Sequence, residues 1–100
     1  MLEPAGFAIS TASSQQRRPA VAFNGSNHIA VWQDRRSGAY DIYGGRVSPA
    51  GSVLDAAGIA ISTAPDEQSL PDVAYDGSHA MVVWQDFRSG TSFDIYAARM

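Results

Sequence analysis

The residues best suited to chemistry in this 100-residue chain occur twice. Asp34, Arg36 and Asp41 surround one short Arg-Ser-Gly turn, and Asp86, Arg88 and Asp94 surround another. Two carboxylates about one turn can hydrolyse a glycosidic bond, one as acid and the other as base or nucleophile. An arginine lodged between them holds both ionised and removes the acid. The pattern is therefore read as a structural pin: Asp34 accepts hydrogen bonds from turn amides, Arg36 bridges to Asp41, and Asp86, Arg88 and Asp94 repeat the arrangement. Recurrence points the same way, because an active site rarely needs one copy per repeat. Trp32 and Trp84 could each stack on a sugar ring. In apolar runs they are expected instead as core, packed between neighbouring repeats.

Other reaction centres are missing from the sequence. With no cysteine there is no disulfide framework, thiolate metal site or Cys nucleophile. Calcium would need a D-x-D-x-D-G loop, which is absent, and Asp66-Glu67 is matched by Ser14-Gln15 in the other copy. His28 and His79 stand at non-equivalent positions beside turns and are expected as solvated turn residues. No glycine-rich phosphate loop, G-x-S-x-G elbow or H-E-x-x-H occurs. These observations lead us to expect no metal, no cofactor and no enzymatic activity. Seven arginines without a lysine face ten carboxylates, for a net charge of -3, so nucleic acid is not an expected partner. No apolar run approaches the ~20 residues of a membrane-spanning helix, and no membrane partner is expected. The segment MLEPAGFAIS lacks the basic and apolar regions of a signal peptide, so none is expected in it. A content of 45% hydrophobic and 17% charged residues fits a globular chain.

These residues are positioned by a duplication that covers the chain. VAFNGSNHIAVWQDRRSG at Val21–Gly38 returns as VAYDGSHAMVVWQDFRSG at Val73–Gly90, and Trp84 minus Trp32 gives a period of 52. GFAISTA returns as GIAISTA and YDIYGGRV as FDIYAARM, the last after one inserted residue near Thr91–Ser92. Aligning Leu2–Val47 with Leu54–Met100 gives 25 identities in 46 pairs. Each copy breaks into four short apolar runs separated by turn residues, which predicts strands and an all-β fold. The runs are Phe7–Thr11 (Ile59 and Ile61 in the second copy), then Val21–Phe23 opened by Pro19, Ile29–Gln33, and Tyr40–Val47. Asn24-Gly25 and Asp76-Gly77 predict tight hairpins. Units of ~40–50 residues with four antiparallel strands are the sequence form of a β-propeller blade.

The unit VAFNGSNHIAVWQDRRSGAYDIYGGRVS resembles a bacterial β-propeller repeat typified by W-Q-D-x-R-S-G followed by D-I-Y. The likeness spans essentially the whole chain, which resembles a two-blade fragment engineered or excised from a longer array. It implies a rigid binding or scaffolding module, and parent arrays that are secreted or at the cell surface. It brings no catalytic residues. WD, kelch and Asp-box repeats fit less well, since the Trp stands on another strand, Gly44-Gly45 becomes Ala97-Ala98, and the Asp-to-Trp spacing is wrong.

Met100 aligns with Val47 and Leu2 with Leu54, so the repeat is permuted at the Ser48–Ser52 loop. The expected organisation is an outer strand at 1–12, one blade at 13–64, and a second blade at 65–100 lacking its outer strand. Two blades cannot close a ring, because outer faces and strand edges would remain exposed. Phe7–Thr11 is therefore expected to add to the Phe93–Met100 edge of a neighbouring chain, giving a homo-oligomer closed by strand exchange. Propellers of about 4–8 blades allow two to four chains. Small Ala22 between Val21 and Phe23 favours the tetramer, with the trimer next. The expected function is a non-enzymatic, self-assembling scaffold or binding module for a protein or glycan. The alternative is a multivalent, lectin-like propeller presenting Gln16, Arg17, Arg18, Arg35 and Gln68 on a ligand face.

Overall fold

The computed structural model describes residues 6–100, and among them the chain is all-β with no helix. The strands are β1 (Gln16–Phe23), β2 (His28–Asp34), β3 (Asp41–Val47), β4 (Ile59–Ser62), β5 (Gln68–Tyr75), β6 (Ala80–Asp86) and β7 (Asp94–Arg99). They form two antiparallel meanders, β1-β2-β3-β4 and β5-β6-β7. Residues 1–5 of the expected outer strand lie outside the described residues, and Gly6–Ala12 take no strand within the chain. Their duplicate Ile59–Ser62 is a strand because it pairs antiparallel with β3. Apolar alternation alone did not separate the two, since a strand needs an edge to bond.

Two boundaries differ from the sequence expectation. β1 and β5 begin three residues before their prolines, and the register shifts between Arg17 and Ala20 and between Ser69 and Asp72. Pro19 and Pro71 have no N–H to give the ladder. The chain bulges there instead of starting there, with Arg18 (φ 54°) and Leu70 (φ 53°) in the left-handed region. The Asn-Gly hairpin is a four-residue loop, because Phe23 pairs with His28. Asn24 Oδ1 accepts from the Ser26 and Asn27 amides at 2.9 and 2.7 Å, while Gly25 supplies φ 90°. Asp76 does the same for Ser78 and His79. The short polar side chain closes the loop, a job the tight-turn reading gave to the backbone alone.

Val and Trp recur in β2 and β6, with Ile29 added in β2, residues that suit a pleated surface packed on one face or both. One face of the first sheet lies on one face of the second. Ile29, Val31 and Ile42 meet Val73, Ala80, Val82 and Trp84, with Ala20, Ala22, Ile61 and Tyr96 at the margin. Each large side chain withdrawn from water here contributes about 1.5–3 kcal/mol. Polar bonds cross the same junction: the Gln68 amide donates to Tyr40 O at 2.8 Å, and the Leu70 amide to Gln33 Oε1 at 3.0 Å. The left-handed Leu70 thus turns its N–H out of its own ladder and toward the other sheet.

Candidate functional site

Trp32 and Asp34 stand two apart on β2 and so share one face of the sheet. The indole N–H donates to Asp34 Oδ2 at 2.9 Å. Arg36, just past the strand end, folds back: Nε donates to Oδ1 at 3.0 Å, Nη2 to Oδ2 at 2.8 Å, and its amide to Oδ1 at 2.9 Å. The guanidinium lies 4.0 Å over the Tyr43 ring. Trp84, Asp86, Arg88 and Tyr96 reproduce this cluster, with the indole at 2.9 Å, Nη2 at 2.7 Å, and the guanidinium 3.7 Å over the ring. Both carboxylates are fully buried.

The third member of the expected pin stands elsewhere. Arg36 does not bridge to Asp41; Asp41 Oδ2 accepts from Ser37 Oγ at 2.6 Å. The reason is reach: two nitrogens and the amide of Arg36 are already spent on Asp34, and Nη1 donates to Ala57 O at 2.7 Å. Asp94, the duplicate of Asp41, is exposed. Sequence reasoning missed the indole donor and the tyrosine beneath the arginine. The i, i+2 spacing of Trp and Asp was a usable signal for the first, and the Tyr of each D-I-Y for the second.

Burial pushes the Asp86 carboxyl up, but hydrogen bonds from the Arg88 guanidinium, the Trp84 indole and the Arg88 amide outweigh it and hold the group down at about 2. Burial likewise acts against Asp34, and the bonds from Arg36 and Trp32 again leave it lowered. Each arginine is raised by its aspartate. A carboxylate with four donors on it, charge-matched and dry, offers no proton near neutrality and no free lone pair to a substrate. The clusters can fasten a strand end to a turn; they cannot serve as acid or base.

The two tryptophans differ in place. Trp84 belongs to the core between the sheets, whereas Trp32, equally buried, is on the outward face of the first sheet. Phe7 and Ile9 border that face. With Gln16, Arg17, Ala30 and Trp32 they line an open cavity of about 220 Å³.

The expected ligand face is only partly assembled. Arg17 and Arg18 are exposed, and exposed Arg35 lies over the Tyr40 ring at 5.3 Å. Gln16 is half-buried and donates to Ser13 O at 3.2 Å. Gln68 is fully buried, its Nε2 donating to Pro65 O at 3.1 Å, so it is not presented to a ligand. The second sheet's edge lies against the first at Tyr40 O, which covers Gln68 but has no counterpart over Gln16. Among the described residues no group of three or more His, Asp or Glu converges on a metal position.

No family model matches the chain, and neither the curated proteins nor the solved structures contain a significant match.

Proposed function

We propose that the chain is a non-enzymatic, self-assembling β-propeller scaffold or binding module, its two sheets serving as blades and its ring closed by strand exchange between copies. The observation that carries this reading is the inequality of two duplicate edges. β3 bonds Ile59–Ser62, while β7 bonds no fourth strand among the described residues. The duplicate of Ile59–Ser62, at Ile9 and its neighbours, meanwhile bonds to no sheet edge. Gly58 (φ 81°) brings its loop so close to Arg36, Tyr43 and Trp32 that a Cβ would come within 3.2–3.4 Å of each. Gly6 has the same conformation (φ 75°) with nothing near it. A chain whose Gly6 segment lies on another copy's Arg88, Tyr96 and Trp84 would use both features.

The recurring carboxylates support a role in holding blades, since both are ion-paired and buried. Deleting Met1–Ala12 tests the reading. Native mass spectrometry should give a defined ring of three or four full chains and only monomer or aggregate for the deletion. A full chain that stays monomeric overturns it. Exposed Arg17, Arg18 and Arg35 favour a second reading, in which the ring presents repeated cations to an anionic glycan. Glycan-array hits that vanish in Arg17→Ala/Arg18→Ala would support it; an array without hits would remove it.

A further inference from the structure

The chain carries two outward sheet faces, and each duplicates one half of the junction in its middle. On the second sheet, Met81, Val83 and Ile95 are 39%, 37% and 76% exposed. Their duplicates Ile29, Val31 and Ile42, at 3%, 0% and 0%, form the first sheet's half of the core. On the first sheet, Val21 is 64% exposed, whereas its duplicate Val73 is 8% exposed in the other half. Ala30 and Trp32 stand beside Val21 where Val82 and Trp84 stand beside Val73. The polar crossing is duplicated too. Gln33 Oε1 accepts from the left-handed Leu70 amide, and Gln85 and the left-handed Arg18 occupy the corresponding positions.

We propose that the outer face of the second sheet, Met81, Val83, Gln85 and Ile95, docks a second copy of this chain on that copy's Val21–Trp32 face, repeating the junction within the chain. Gln85 Oε1 then accepts from the Arg18 amide of the second copy and sets the register, as Gln33 does for Leu70. The contact joins unlike faces, so it is heterologous and propagates head to tail. Phe7 and Ile9 line a cavity with Ala30 and Trp32 of the receiving face, which are 5% and 4% exposed, while Phe7 itself stays 47% exposed and bonds no strand. Docking displaces them, and the displaced segment is the one that the strand-exchange reading sends to β7 of the docked copy. One movement uncovers the face and supplies the closing strand. This inference rests on the assembly proposed above and adds which surfaces meet.

Two variants test it separately from that assembly. Val21→Asp spoils the receiving face and Ile95→Asp the docking face, both at exposed positions where folding tolerates a charge. Each alone should be monomeric by analytical ultracentrifugation, with the circular dichroism of the parent. Mixed in equal amounts they should form a 1:1 dimer and nothing larger, since one good pair of faces remains. Gln85→Ala should weaken assembly of the otherwise unchanged chain about tenfold, as the loss of one buried hydrogen bond predicts. If the parent chain assembles but either variant still forms the same ring, or the mixture stays monomeric, the docking faces are wrong while assembly stands. A parent that never assembles fails the prior reading instead.

Discussion

The two sheets carry nearly the same residues in different surroundings. β2 is buried on both faces, and β6 alternates buried with open positions. Ile42 in β3 is inaccessible, and Ile95, its duplicate in β7, is the most exposed large apolar residue described. The Trp–Asp–Arg–Tyr clusters, by contrast, are alike to within 0.3 Å in every bond compared above. Contacts made within one hairpin, two strands and the turn that joins them, thus survive a change of neighbours, while burial of the faces does not. A feature alike in both copies is a property of the repeat; a feature that differs is a property of position.

The largest expected effect breaks the comparison at the isoleucines. In the Val21→Asp background, which keeps the second sheet's outer face uncovered, Ile42→Ala should cost about 2–5 kcal/mol in urea denaturation. Ile95→Ala should stay within about 0.5 kcal/mol there. Equal losses would mean that the two faces are not differently buried.

The clusters should respond alike. Asp34→Ala and Asp86→Ala should each lose about 1–3 kcal/mol, because a buried indole N–H and a guanidinium are left without their acceptor. A melting temperature unchanged in both would show that the clusters hold nothing. The same groups predict a pH window. Both carboxyls are lowered in the folded chain, Asp86 to about 2 from the usual 3.8, so their stabilisation is complete above about pH 4 and lost as the pH falls toward 2. Acid unfolding followed by tryptophan fluorescence should shift toward neutral pH in the chain with one cluster intact, and stability that does not fall between pH 4 and 2 would contradict the linkage.

The smallest effect concerns the glutamines. Gln33→Ala should lose about 1 kcal/mol through the orphaned Leu70 amide. Gln85→Ala in the Val21→Asp background should lose less, since its Nε2 reaches only Ser69 Oγ at 3.2 Å within its own sheet. Matching losses by thermal denaturation would remove Gln33 as a fastening between the sheets.

Much of the local architecture was legible in the residues. Strand-forming runs, the turns at Asn24 and Asp76, and the Asp34–Arg36 and Asp86–Arg88 pairs depend on groups within a few positions of one another, and sequence spacing encodes that directly. Where the pattern misled, a longer-range partner decided: Arg36 gave its remaining Nη1 to Ala57 O and left Asp41 to Ser37, and Gln68 was buried where its amide bonds Tyr40 O beside the first sheet. Phe7–Ser10 and Ile59–Ser62 have the same alternation, yet the second bonds an edge and the first bonds none and lines a cavity with Trp32. Sequence by itself determined the repeat, its all-β character and the Asp–Arg pair of each cluster, because those arise within one unit. Only the tertiary structure decided which face of each unit is core. Burial is a relation between two surfaces, and Val31 and Val83, each followed by Trp and Gln on its strand, are 0% and 37% exposed because the other sheet lies against the first and not the second.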